Sequence, residues 1–330
     1  MSKLTSITAA IGLAVVLSVS GCQTATSGPI RDAIKARRDA KSDVVSVAPG
    51  LDLYSIVHGG ITRTFYVHVP DNFDSSANKG AVFAFHGGQG TGDKTAATSG
   101  LPAAADQMGF VAVFPNAGDG RQWNDGRETT TSKIDDVGFV HAIINLLEDD
   151  LGVNRNHIFA TGISNGGMMV QRLACDDTRD FAAFAVIAAN MPSNLLPVCK
   201  PSRAAPIMFF NGTTDPLMPF DGGVIKSSKL LGAGAGGNVV SNAETIAFWT
   251  SVNHCGGESK TSLPDRVNDG TTVVQRTFSC SGSEVISYLI ANGGHTWPGA
   301  DQREMRVTGK ITKDLSATPT MLSFFRRYGL

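Results

Sequence analysis

The chain has 330 residues, 42% of them hydrophobic and 17% charged, with a formal net charge of −1. This composition excludes a disordered or fibrous chain and supplies enough apolar material for one sizeable core. Near-neutral charge without a basic stripe leaves no electrostatic footprint for nucleic acid.

In chain order, the first elements lie outside the fold. "MSK" is a short basic start, "LTSITAAIGLAVVLSV" an apolar run, and "SGC" a small-residue end at Cys22. The run falls short of the roughly 20 residues of a membrane span and sits where an export signal would. Residues 1–21 are therefore expected to be a signal cleaved before Cys22. "VSGC" resembles the bacterial lipobox, which implies a lipid on Cys22. Acyl chains there would hold the protein at an outer membrane or cell surface; the alternative is a soluble extracellular product. Residues 22–49, with the charged "IRDAIKARRDAKSD", read as a tether or a loosely docked helix.

Export changes the meaning of the remaining cysteines, Cys175, Cys199, Cys255 and Cys280. An even number in an oxidising compartment suggests two disulfides, although four cysteines allow three connectivities. Pairing neighbours in sequence would close two loops of about 25 residues each. With no Cys-x-x-Cys and seven scattered histidines, neither a metal site nor a cofactor is expected.

From residue 50 to 330 the signals are those of one domain. "LDLYSIVHGGITRTFYVHVP" reads as an antiparallel hairpin. "GAVFAFHGG", "GFVAVFPNAG", "HIFATGIS", "FAAFAVIAAN", "APIMFFNGT" and "SEVISYLIANGGH" are short apolar runs ending in turn residues, as in strands covered on both faces. Helical patterns lie between them: from Asp136, from Asn165, from Asn242 and over "TPTMLSFFRRYG". The alternation predicts an α/β fold with a mostly parallel, doubly wound sheet behind the N-terminal hairpin. "LLGAGAGGN" at 230–238 reads as a surface loop.

Ligands of such sheets gather at the carboxyl ends of the strands. There, Ser164 sits in "ATGISNGG", between a strand and a helix, where a tight turn would lift its hydroxyl above the sheet. A serine hydroxyl needs a base, and His295 in "NGGHTWPG" follows the last predicted strand. Asp215 in "NGTTDPLMPF" lies just past another, better placed than the rival Asp221. The order Ser164, Asp215, His295 is the Ser-Asp-His order of the α/β-hydrolase fold. An acyl transfer also needs oxyanion donors. One is expected from the N–H of Asn165, the other from "FAFHGGQG", whose Gly87, Gly88 and Gln89 present amides. His86 in that loop reads as an organiser of the turn rather than a base.

Taken together, "FHGG", "GRQWND", "ATGISNGGMM", "NGTTDPLMPFDGG" and "GGHTWPG" resemble the extracellular polyhydroxybutyrate depolymerase and feruloyl esterase group over residues 50–330. That group is similar to acetyl-xylan and cinnamoyl esterases. The resemblance implies an α/β-hydrolase serine esterase with Ser164, Asp215 and His295 as its triad and Gly88 and Asn165 as oxyanion donors. It implies that Trp297 and Trp123 line the substrate cleft; Gln89, in the loop after the early strand, is expected to contact substrate as well. It also favours the local disulfide pairings. One departure is "HGG" where relatives often carry "HGC", which leaves the amide in place. The expected substrate is a polyester oligomer or an acylated plant polysaccharide. The rivals are a peptidase of the same fold and a non-catalytic surface binding protein.

Overall fold

The computed structural model describes residues 28–32 and 50–330, except 78, 119–121, 130–133, 227–235, 282 and 303. The expected signal at 1–21, Cys22 and most of the tether lie outside the described residues, as does most of the stretch 230–238. Residues 29–32 of the tether form one helical turn. Its Ile30 is fully buried, and the Ile30 N–H donates to Asp150 Oδ2 at 3.0 Å. Among the described residues, no helix is long and apolar enough to cross a membrane.

Six strands form the parallel centre: β3 (Ala81–Phe85), β4 (Val111–Pro115), β5 (Ile158–Ile163), β6 (Ala183–Ile187), β7 (Ile207–Gly212) and β12 (Val285–Ala291). The hairpin β1 (Leu51–His58) and β2 (Ile61–His68) extends one edge antiparallel through β2 and β4. The other edge is a second antiparallel pair, β10 (Cys255–Ser262) and β11 (Thr272–Cys280). The whole order is β1-β2-β4-β3-β5-β6-β7-β12-β11-β10. A two-stranded ribbon, β8 (Gly223–Val224) with β9 (Asn238–Val239), stands apart.

Burial explains why the centre forms. Every residue of β3, β4, β6 and β7 is buried, and alternate side chains feed two separate cores. Phe83 and Phe85 join one face with helices α3 (Asp136–Leu151), α4 (Asn165–Asp176) and α5 (Asn242–Val252). Val82 and Ala84 join the other with α1 (Gly92–Ser99), α2 (Leu101–Met108) and α6 (Ala317–Arg326). Two helix starts are capped by side chains: Asp135 accepts from the Gly138 N–H, and Ser241 with Glu244 forms a reciprocal capping box. The result is the expected α/β-hydrolase arrangement, enlarged by an edge hairpin the apolar runs did not announce. β10 is exposed at almost every position, so it carries no buried pattern to read.

Cys175 is bonded to Cys199 and Cys255 to Cys280, the local pairing in both cases. The second bridge joins residues that face one another across β10 and β11.

Candidate active site

The turn between β5 and α4 places Ser164 at φ 59°, ψ −124°, a backbone region that non-glycine residues rarely occupy. Such strain costs roughly 1–3 kcal/mol and persists only where the surroundings enforce it. They do so here. The Ser164 N–H donates to the Ile187 carbonyl at 2.9 Å, and the Ser164 carbonyl accepts from the Met168 N–H at 2.9 Å. Two glycines let the chain fold this tightly. A Cβ on Gly162 would stand 2.6 Å from the Gly166 carbonyl, and one on Gly166 would stand 2.2 Å from that of Phe85.

Asp215 and His295 reach the same end of the sheet on neighbouring strands. The loop after β7 is tied to the loop after β12, since the Thr213 N–H donates to the Ile290 carbonyl at 3.0 Å and the Thr214 N–H to that of Gly293 at 3.1 Å. This lacing sets His295 Nδ1 2.7 Å from Asp215 Oδ2, with both side chains nearly buried. The other carboxylate oxygen, Oδ1, accepts from the Leu217 and Met218 N–H groups, each at 2.8 Å. The carboxylate is therefore clamped by three donors. With the ring proton on Nδ1, His295 Nε2 is free to accept a proton. Asp221 is exposed, and the imidazole pairs with Asp215 instead.

Ser164, Asn165 and His295 line one cavity of about 410 Å³, together with Gly88 and Gln89. This size falls within the range of small-ligand sites. A hydroxyl, an imidazole oriented by a carboxylate, and backbone amides at a helix start can together carry nucleophilic attack on a carbonyl and shelter the resulting oxyanion.

His86 organises the loop beside them. The Ala117 N–H donates to His86 Nε2 at 3.0 Å, which leaves the ring proton on Nδ1 to donate to the Gly87 carbonyl at 2.7 Å. The Asn165 side chain is fixed from below: its Oδ1 accepts from the Trp123 N–H at 2.8 Å, and its Nδ2 donates to Asp125 Oδ2 at 2.5 Å. Asp125, itself fully buried, also accepts from Arg127 Nε at 2.8 Å. Further back, Asp136 bridges Arg63 Nη2 at 2.6 Å and the Asn124 N–H at 2.7 Å. Burial pushes the Asp136 carboxyl above its ordinary range, against the pull of these two partners.

Neither tryptophan lines the Ser164 cavity, contrary to expectation. Trp123 is fully buried, its indole N–H donating to the His86 carbonyl at 2.9 Å and its ring set edge-on to Phe85. Trp297 packs in the opposite core, donates to Thr318 Oγ1 at 3.0 Å and borders a separate hollow against α1 and α6. Lining the cavity instead are Met168, Leu217 and Ile225 and the polar Lys94, Gln122 and Arg127, with Lys226 beside them. Sequence reasoning missed these. Only Gln122 and Arg127 carried a signal, Gln122 within the "GRQWND" motif and Arg127 two residues past it.

No protein-family model matches the chain. Its sequence is 30% identical over 279 residues to a protein of Nocardia uniformis subsp. tsuyamanensis named as an esterase, NocK, covering 82% of this chain and 80% of that one. It is 31% identical over 247 residues to an Aspergillus niger protein named as a feruloyl esterase C, covering 72% of this chain and 78% of the other. The feruloyl esterase C of Emericella nidulans is 34% identical over a shorter stretch, 51% of this chain and 61% of that protein. In fold, the chain is similar to the acetyl xylan esterase of Aspergillus awamori, with TM-score 0.55 and 17% identity over 74% of this chain and 94% of the other. It is also similar to Thermogutta terrifontis esterase 2, with TM-score 0.52 and 14% identity over 85% of this chain and 95% of that one. The clamped acid and imidazole, the elbow at Ser164 and these relatives converge: the chain belongs to the esterase family of NocK and the feruloyl esterases C, and is a carboxylic ester hydrolase of α/β-hydrolase fold.

Proposed function

We propose that this esterase works through an acyl-enzyme formed on Ser164. The Ser164 hydroxyl attacks the ester carbonyl carbon while His295 Nε2 takes its proton. The tetrahedral oxyanion rests on the amides of Asn165 and Gly88. Its collapse breaks the bond to the alcohol, which leaves with the proton that His295 returns. Water then adds to the acyl-enzyme by the same base, frees the acid and restores Ser164. Asp215 holds the imidazole and balances its charge in both halves. The observation that carries this reading is the 2.7 Å pairing of His295 with a clamped Asp215 beside the strained Ser164 turn, on one cavity.

The test is Ser164→Ala, which is expected to lower kcat for 4-nitrophenyl butyrate by at least about 10⁴ and to abolish labelling by a fluorophosphonate probe. A folded variant that keeps its activity overturns the assignment.

For the substrate, the names of the relatives favour feruloyl or acetyl esters of polysaccharide over hydroxyalkanoate oligomers. Rates on ethyl ferulate, acetylated xylan and hydroxybutyrate oligomers rank the three, and an amide substrate in the same panel checks the peptidase alternative. Export is part of the proposal, supported by two disulfides, which persist in oxidising compartments. A lipid on Cys22 rests on the "VSGC" motif; Cys22→Ala is then expected to move the protein from the membrane fraction to the soluble one.

A further inference from the structure

We infer that the Ser164 cavity selects esters that carry a negative group, a carboxylate foremost, besides the scissile bond. The inference rests on reading that cavity as the site of ester hydrolysis.

Three cationic side chains, Lys94, Arg127 and Lys226, line the cavity, and no described lining residue carries a carboxylate. Arg127 is balanced, since the buried Asp125 carboxylate holds its Nε at 2.8 Å. Its guanidinium is also fixed by the Gly236 carbonyl at 3.0 Å, so it offers an oriented donor rather than free charge. The lysines differ. Both are exposed, and neither forms an ion pair with another described residue. They reach the cavity from two different segments of the chain. Lys94 lies on α1, shortly after the glycine loop of Gly88. Lys226 is tied by its backbone N–H to the Leu217 carbonyl at 3.0 Å, two residues past Asp215.

On a chain whose net charge is −1, two unbalanced ammonium groups around one concave site are a local excess of positive charge. Concave walls concentrate such a field, and a neutral ester gains little from it. A substrate carboxylate gains attraction on approach and a pairing partner once bound. At exposed lysines the gain is about two- to fivefold each. The substrate class this fits is an ester with a free acid group beside the scissile bond, cleaved to a dicarboxylic acid and an alcohol or to an acid and a hydroxy acid; an acyl ester on an acidic sugar chain is the form of it that agrees with the relatives' names.

The test compares kcat/KM for mono-4-nitrophenyl adipate with that for 4-nitrophenyl methyl adipate, which differ only in the remote charge. For the wild-type protein the ratio of anionic to neutral substrate is expected to exceed one, and to fall towards one in about 0.5 M salt, where exposed charges are screened. The double variant Lys94→Gln/Lys226→Gln is expected to lower the ratio about fivefold or more. Lys260→Gln, on the far edge strand β10, keeps it and controls for overall charge. A wild-type ratio of one or less, or a ratio unchanged in the double variant, overturns the inference. Turnover that still depends on Ser164 in that case leaves the esterase reading standing; turnover indifferent to Ser164→Ala overturns that reading instead.

Discussion

The indole of Trp123 fastens two loops to one another from beneath the site: its ring N–H holds the His86 carbonyl, while its backbone N–H and carbonyl hold the Asn165 side chain. Asn165 follows Ser164, so this brace bears on the amide proposed to receive the oxyanion. Trp123→Phe would leave the His86 carbonyl without this donor and open space in the core. A loss of about 2–4 kcal/mol is expected by urea denaturation, with the preference among acyl chain lengths unchanged. A residue lining the cleft would show the reverse. Asp215→Asn tests the clamp above: the amide keeps the shape but no longer fixes the imidazole proton on Nδ1, so kcat is expected to fall by about 10³–10⁴ with little change in melting temperature. That Ser164, Asp215 and His295 meet at one site was legible in the sequence because each lies at the carboxyl end of a strand. The exposure of Trp123 was not, since an aromatic beside a catalytic motif can brace the site as readily as line it. Lys94 and Lys226 escaped for a different reason. A lone lysine in a loop or short helix has no pattern, and only the fold brings these two to one cavity.

At the level of elements, α4 joins the reaction to the disulfides. It begins at the Ser164 turn and carries Cys175 near its far end, bridged to Cys199. Closing a loop of this length stabilises by about 3 kcal/mol on the chain-entropy model. Cys175→Ala/Cys199→Ala is expected to lose roughly that much in guanidinium titration without reductant, where the Cys255–Cys280 bridge stays closed. Equal stability of the double variant and the wild-type protein under those conditions would show that the bridge is incidental. The parallel strands could be read from sequence because both faces of each are buried, which forces continuous apolar runs. The edge pair β10 and β11 could not. Strand β10, "CGGESKTS", is held by its ladder with β11 and by the Cys255–Cys280 bridge rather than by burial. The short helices α1 and α2 were equally silent. Each spans eight residues and ends at a left-handed glycine, Gly100 or Gly109, too short for a clear apolar stripe.

Across the whole molecule, charge pairs set how stability follows pH. His141 on α3 lies between Asp177 Oδ2 at 2.5 Å and Asp180 Oδ2 at 3.0 Å, in the segment linking α4 to β6. The hydrogen bond to Asp177 and the charge of both carboxylates hold the imidazole above its ordinary range. A histidine raised on folding contributes stability in full below its unfolded value near 6.5, and that contribution is lost as pH rises through the folded value. Carboxylates act in the opposite sense. The Gly138 N–H holds Asp135 below its ordinary range, and the Arg276 guanidinium does the same for Glu258. Their contribution is present above about pH 4 and lost as pH falls through the lowered values. Stability is therefore expected to be greatest between about pH 4 and 6.5 as far as these groups decide it, declining on both sides. Urea denaturation from about pH 2 to 9 checks this, with His141→Gln as the diagnostic variant. That substitution should cost stability at pH 5 and progressively less as pH rises, flattening the alkaline limb and leaving the acid limb in place. An equal loss at pH 5 and pH 9 would mean that His141 acts through packing between α3 and the β6 connection, not through its charge.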